Sequence, residues 1–519
     1  MQRYVFYCIP PTPNGDLHLG HLSGPYLGAD ILTRYLRARG CSVHVLTGID
    51  DYQSYTFRKG LETGCTPEEV IDLCSEKILN SWRNARMGHD LIVRTHRNPS
   101  YAAFIRQLFG QLEEKGCLPS RCIDHLSSSA AGFAYQGMIH GRCPWCGTES
   151  DGNICEVCSL PNECTNLIDP ASAVPGDTLR PLKTTRRYFK LRGTPYMDAV
   201  KEWHQQVSCN ESLREYFKQL WAKEINEVSV THQASWGLEA APGSAERIDV
   251  WFEMGLGFLY YADRLFADWR SVWHGQTEIG IFFGYDNSFY TSVLFPGALK
   301  ALDEQIVLPR YLFVNHFLNL DGEKFSTSRS HAIWGSDFFR SANPNWGRLY
   351  LASVRSETAR SNFSLNEYLA FERRMSEQWN AATAKIISAA ARCELEQKEV
   401  DPGFLGRLPG SLVDTIRGKV ESIRRHMRPE EYVLSQASAD LQDVFNVALA
   451  FCNQAPLMDA TGVEDCFALL ASIGEFARPW MPGIDASHTL ISRNGSRTDR
   501  DGSSFLPSVR VTMSDRIYI

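Results

Sequence analysis

The chain has 519 residues, 44% of them hydrophobic and 22% charged, a globular composition long enough for two or three domains with sizeable cores. Its net charge of −7 gives no support to a large, sequence-independent affinity for nucleic acid, although a local basic groove stays open. No run of about 18 apolar residues occurs, so no membrane-spanning helix is expected. The start, MQRYVFYCIPPTPNG, has no basic segment followed by a long apolar run, so it does not read as a secretion signal. The 15 cysteines are then expected as reduced thiols and metal ligands, and the expected compartment is cytoplasmic.

RYVFYCI at 3–9 reads as a buried strand rich in aromatic and β-branched residues. PPTPNG breaks it, and an apolar pattern at helical spacing runs from His21 to about Arg39. SVHVLTG at 42–48 reads as a second strand, with helical patterns over 67–86 and 100–115. This alternation predicts a parallel sheet with right-handed crossovers and ligands beyond the carboxyl ends of its strands. From about 116 to 235 it lapses into a loop-rich stretch, read as an insertion. It resumes near 245 with RIDVWFEMGLGFLYYA, then IGIFFGYD, a helix over about 288–303 and a strand YLFVNHFLNL. From about 365 to 480 the pattern is almost wholly helical, an appended bundle. SRNGSRTDRDGSS near the end is polar and expected to be mobile, before a short strand-like segment.

Two segments suggest phosphate chemistry. PNGDLHLGH, Pro13 to His21, falls between the first strand and first helix, where free N–H groups favour anions. LDGEKFSTSR, Leu320 to Arg329, is a polar loop after a predicted strand, suited to a transient triphosphate charge. Each alone reads better as capping histidines or a solvated loop. A third feature is Cys143-x-x-Cys146 and, eight residues on, Cys155-x-x-Cys158. Two such pairs set four thiolates around Zn²⁺ and close its shell, so the zinc is expected to be structural, with Cys164 unnecessary.

Together, HLGH and KFSTS some 300 residues apart resemble the paired signatures of class I aminoacyl-tRNA synthetases, most closely methionyl-tRNA synthetase. The resemblance runs over roughly residues 3–460 and includes CIPPTPNGDLHLGH, GIDD, CPWC…CEVC, VWFEMGLGF, FFGYD and KFSTSR. It implies a doubly wound, Rossmann-type (HUP-like) α/β catalytic domain in two parts, 1–115 and 236–364. Between them lies a connective insertion with the zinc knuckle, 116–235. A helical anticodon-binding-like bundle follows at 365–490, with a tail at 491–519. The implied activity is ATP-dependent activation of an amino acid as an adenylate, with Mg²⁺, by a monomer. By resemblance His18, His21 and Lys324 stabilise the transition state at the ATP phosphates. Thr12, Asn14, Gly20, Gly284, Asp286, Val314, Ser326 and Ser328 complete the ATP site. Asp51 holds the substrate's α-ammonium, a bond that selects α-amino acids whatever their side chain. Asp50 is open to a structural role as a helix cap.

Three departures from the family stand out. Thr327 replaces the second lysine of its KMSKS loop, and Arg329 is the candidate to compensate. The amino-acid pocket, matched to Ile9, Thr12, Trp251, Met254, Gly255, Phe258, Asn287 and Thr291, has polar groups where a methionine site is apolar. A polar or small amino acid is expected, because the site's polar groups need partners. Asn453-Gln454-Ala455-Pro456-Leu457 keeps the frame of the anticodon-reading run but offers leucine where the family stacks a base on tryptophan. These departures resemble the methionyl-tRNA-synthetase-like component of hydrazine-forming natural-product systems. That branch esterifies the activated amino acid to an N-hydroxylated amine such as N-hydroxylysine, and a separate cupin would rearrange the ester. The alternatives are an ordinary tRNA-charging enzyme and a silent RNA-binding paralogue.

Overall fold

The computed structural model describes residues 2–325, 331–393, 395 and 402–484. The chain divides into two compact units. The first holds residues 1–318, 325–338 and 356–361. It contains strands β1 (Arg3–Cys8), β2 (Ser42–Ile49) and β3 (Leu91–Arg94). Next come β4 (Ser120–Ser128), β5 (Gln136–Arg142), β6 (Glu149–Gly152) and β7 (Ile168–Ser172). β8 (Leu179–Lys190), β9 (Glu227–Ser229), β10 (Thr231–Gln233) and β11 (Glu246–Ile248) follow, then β12 (Glu278–Gly284) and β13 (Tyr311–Asn315).

Five strands form a parallel sheet in the order β13-β12-β1-β2-β3. Its strands are nearly continuous in buried aromatic and β-branched residues because helices cover both faces. The chain moves from β1 through β2 to β3 in one direction and from β12 to β13 in the other. β1 and β12 therefore flank the switch point, and a crevice opens beyond their carboxyl ends. Tyr7 ties this region to the helix Val250–Phe266: its ring stacks on Phe258 at 4.8 Å, and Trp273 Nε1 donates to its hydroxyl at 3.0 Å.

Two expected helices are interrupted. The first motif starts a single turn, Leu19–His21, followed by a π-turn at Leu22–Tyr26 containing Pro25, before the helix Leu27–Ala38. Proline has no N–H to give the preceding turn, so the ladder widens there. A second π-turn, Tyr290–Leu294, precedes the helix Phe295–Leu302. The predicted strand over 311–320 also breaks, because the His316 N–H leaves the sheet to donate to Ser356 O at 2.6 Å.

The stretch from 116 to 235 is not loop-rich. β4, β8 and β9 form one antiparallel sheet, β5, β6 and β7 another, and helices Pro195–Gln206 and Glu211–Ala222 follow. β4 and β7 are largely exposed on both faces, so no apolar alternation marks them in the sequence.

The second unit holds residues 319–324, 339–355 and 362 onward. Its helices are Pro344–Ser353, Leu365–Arg392, Gly410–His426, Leu434–Gln454 and Ala460–Ala477. Fully buried Arg348 is satisfied there by the carbonyls of Trp480 at 2.7 Å and Pro479 at 3.1 Å. A buried cation without such acceptors would be strongly destabilising. No described helix is long and apolar enough to cross a membrane. The tail at 491–519 lies outside the described residues.

Candidate active site

The crevice begins with the segment after β1. Ile9 is buried, its N–H held by Phe282 O at 3.1 Å and its carbonyl by the Tyr26 hydroxyl at 3.1 Å. Thr12 is half-buried and Asn14 exposed on the turn that follows. Asp16 fixes the approach to the histidines. It accepts from its neighbour Leu17 N at 2.7 Å, from Ser81 Oγ at 2.6 Å and from Ser336 Oγ. His18 then caps the first turn, its Nδ1 accepting from Gly20 N at 3.1 Å. The imidazoles of His18 and His21 stack at 3.7 Å, and Phe325 covers the other side of His18 at 4.6 Å. A Cβ at position 20 would come within 3.0 Å of the His18 ring, so glycine is required for this arrangement. Sequence reasoning missed Asp16, because both serines that hold it are remote in the chain.

At the end of β2 two adjacent acids part company. Asp51 is fully buried and turned toward the end of β3. It accepts from Thr95 N at 2.9 Å and His96 N at 3.0 Å, and pairs with Arg94 at 3.2 Å. Asp51, expected to grip the substrate ammonium, thus already carries protein donors from three residues, Thr95, His96 and Arg94. Nor does Asp50 cap a helix, since the next one, Ser54–Thr63, has Gln53 at its cap with no side-chain bond. Asp50 is buried and hydrogen-bonded to Gln53, with no ion-pair partner within 4 Å among the described residues. Burial, with Asp51 and Asp249 adding to it, holds its carboxyl well above the ordinary range. Glu253 on the helix Val250–Phe266 is buried as well, and one of its oxygens has no hydrogen-bond partner. Burial and the charge of Asp50 push its carboxyl up in turn. Two desolvated carboxyls in one region form a place that a cation would stabilise.

The matched amino-acid pocket lies along that helix and the second π-turn. Trp251 stacks on Tyr290 at 4.2 Å, with 5° between planes, and its Nε1 is buried without a partner. Met254 is buried. Phe258 is wedged between Tyr7 and Phe295, and a Cβ at Gly255 would meet Phe295 at 2.7 Å. Thr291 is fully buried, and its hydroxyl has no partner. Asn287 is half-buried. At the end of β12, Gly284 and Asp286 form the turn: a Cβ at Gly284 would reach Asp286 Oδ1 at 2.5 Å, so glycine makes room for the acid. Val314, buried in β13, pairs in register with Phe283.

Lys324 is exposed and ends a two-strand hairpin in the second unit, Leu318–Leu320 with Glu323–Lys324. Asp321 and Gly322 turn it with φ of 48° and 89°, the left-handed pair that Asp-Gly favours. Ser326, Thr327, Ser328 and Arg329 lie outside the described residues. In the helical unit Leu457 is buried at 3% exposure, on a run held by Lys385 Nζ to Asn453 O at 2.7 Å. It does not present a surface for stacking.

The sulfurs of Cys143, Cys146, Cys155 and Cys158 lie within 4.8 Å of one another, with 3.8 Å between the first and last and 3.5 Å between the middle two. Four sulfurs on a tetrahedron of Zn–S length ~2.3 Å stand about 3.8 Å apart, so the cluster fits that ion. Cys164 is buried outside the cluster, its sulfur against Gly152 O at 3.8 Å.

A parallel sheet with a histidine turn after its central strand and a glycine–acid turn after the neighbouring strand defines a doubly wound α/β protein. Residues 5–386 match the family of tRNA synthetases class I (M), and the chain belongs to that family. Its relatives include the methionine–tRNA ligase of Pyrococcus furiosus, 28% identical over 391 residues, 71% of this chain and 54% of that one. That of Christiangramia forsetii is 30% identical, over 71% of this chain and 55% of its own. That of Thermococcus kodakarensis is 29% identical, over 94% and 70%. The chain thus spans about half the length of the first two relatives. The fold is shared with Mycobacterium tuberculosis methionyl-tRNA synthetase in complex with methionyl-adenylate, with a TM-score of 0.72 at 17% identity over 93% of this chain and 92% of that one.

Proposed function

We propose that the protein activates an amino acid with ATP as an aminoacyl-adenylate and then transfers the aminoacyl group. The substrate carboxylate oxygen bonds to the α-phosphorus while the bond to pyrophosphate breaks. His18 and His21 stand at the helix-entry turn as donors to the phosphate oxygens, and the family resemblance of KFSTS adds the charge of Lys324. Mg²⁺ accompanies ATP in such chemistry. Asp50, rather than Asp51, takes the α-ammonium. The observation that carries this reading is Asp50 itself: a buried carboxyl without a cation, at the carboxyl end of β2. ATP–pyrophosphate exchange over a panel of amino acids tests it, and no exchange with any amino acid would overturn it in favour of a silent RNA-binding paralogue.

The substrate read from the pocket is polar or small. Thr291 Oγ1 and Trp251 Nε1, buried and unpaired, favour a ligand that hydrogen-bonds them over a thioether. Exchange driven by methionine alone would reject this reading. The acceptor is read as a small N-hydroxylated amine, such as N-hydroxylysine. Its hydroxyl oxygen attacks the adenylate carbonyl, AMP leaves, and the hydroxyl proton passes to solvent. A separate cupin would act on the ester. The buried Leu457 supports an acceptor other than tRNA. The relatives' names favour the second reading, methionine–tRNA ligation. Charging assays with total tRNA separate the two. Zinc on the four cysteines is structural in either case.

A further inference from the structure

The first unit has an open cleft of about 370 Å³ between the insertion and the second π-turn, within the roughly 300–1,000 Å³ typical of small-molecule sites. Tyr290 forms part of its wall and stacks on Trp251 of the matched amino-acid pocket. Of its charged residues, Arg186 is neutralised by Glu163 at 2.8 Å and Glu227 by Arg121 at 2.7 Å. Asp249 and Glu224 have no ion-pair partner within 4 Å among the described residues. Asp249 caps the helix through Trp251 N at 3.0 Å and accepts from Gln136 Nε2 at 2.8 Å. Burial holds its carboxyl up at about 6. Gln136 Oε1 and Tyr135 Oη, from the same wall, are buried without partners. Gln136 also sits at a φ of 42°, a conformation that an L-residue keeps only where its surroundings hold it.

We infer that this cavity is a second small-molecule site and that it takes the ammonium group of a small amine. An ammonium carries three donors and no acceptor. The Gln136 carbonyl and the Tyr135 hydroxyl are without partners here, and the Asp249 carboxylate, which accepts one bond on each oxygen, keeps lone pairs for a further donor, whereas an anion would meet two carboxylates that have no ion-pair partner within 4 Å among the described residues. That the amine is the acceptor's rests on the adenylation reading above, and the preference of the cavity for a cation does not.

Calorimetric titration of the full chain with 1,5-diaminopentane, and with 1,5-pentanediol and glutarate as neutral and anionic counterparts, tests the site. The diamine is expected to bind and the other two are not. Val228→Trp fills the cavity from β9 and is expected to weaken diamine binding by about tenfold or more, leaving pyrophosphate exchange within about twofold. Asn226→Trp, at an exposed lining position, gives the same result should the first variant fail to fold. No diamine binding, equal binding of the diol, or binding indifferent to both variants would overturn the inference. Diamine binding that survives in a protein with no pyrophosphate exchange removes the adenylation reading and leaves the cation site. Exchange without diamine binding does the reverse.

Discussion

His18 lies face to face with Phe325, 4.6 Å between ring centroids and 10° between planes. The histidine of the first motif is thereby oriented by the residue that follows Lys324 in the second. Its other face rests on His21, so the ring is clamped with its Nδ1 bound to Gly20 N.

Loss of the Phe325 ring should therefore slow chemistry more than binding. An aromatic pair contributes about 0.5–1.5 kcal/mol beyond its buried area, so Phe325→Ala should lower the rate of adenylate formation roughly two- to tenfold. Phe325→Tyr should keep it. Single-turnover measurement with saturating ATP is the check, and an unchanged rate in the alanine variant would mean that the clamp is unimportant.

Asp50 and Asp51 should respond oppositely to the same change. Asp50→Asn replaces a carboxyl whose ionised form burial disfavours and should hold or raise Tm while cutting pyrophosphate exchange roughly ten- to a hundredfold, the worth of a charge-assisted hydrogen bond. Asp51→Asn puts an amide against two N–H donors and Arg94, and should cost about 1–3 kcal/mol of stability. Thermal melts and exchange assays on both variants decide it; matching responses would refute the division of roles.

The raised carboxyl of Asp50 also fixes the sign of a pH effect. Its folded pKa lies above the unfolded value, so the group destabilises the native state in full above the folded pKa, and that cost is relieved as pH falls from the folded pKa to the unfolded one. An arriving ammonium needs the charged form, so amino-acid binding should tighten as pH rises through that pKa and should release a proton. Titrations in buffers of different ionisation enthalpy read that proton directly. Heats independent of the buffer would contradict it.

Thr291→Val is nearly isosteric and deletes a buried, unpaired hydroxyl. Stability should hold or improve, whereas kcat/KM for the preferred amino acid should fall by about 1–2 kcal/mol, roughly five- to thirtyfold. Activity with methionine should change little. Discrimination that stays constant would place the hydroxyl away from the substrate.

The cysteine cluster should carry one zinc per chain. Cys146→Ser and Cys158→Ser should each lose the metal and lower Tm by roughly 5–10 °C, with pyrophosphate exchange surviving at temperatures where the fold persists. Metal analysis of the purified protein that finds no zinc would remove the assignment.

The parallel sheet was legible because its strands are buried on both faces and read as dense β-branched and aromatic runs. β3 escaped notice because four residues, LIVR, give too short a signal. Strands β4 and β7 of the insertion lack an apolar face, so no period of two marks them. The choice between Asp50 and Asp51 was beyond sequence for a different reason: neighbouring residues at a strand end point to opposite sides. Asp16 was hidden because its serine partners, 65 and 320 positions away, have no signature of their own.

β1 pairs with β12 across some 270 intervening residues, and it is the middle strand of the sheet. During synthesis the first strand therefore leaves the ribosome long before its second neighbour exists. Until β12 and β13 arrive, one edge of RYVFYC stays open as an unpaired apolar template, a hazard for wrong association. Slow, chaperone-dependent maturation follows from such distant pairing. Expression at low temperature or with added holdases should raise the yield of folded protein more than any change to the surface.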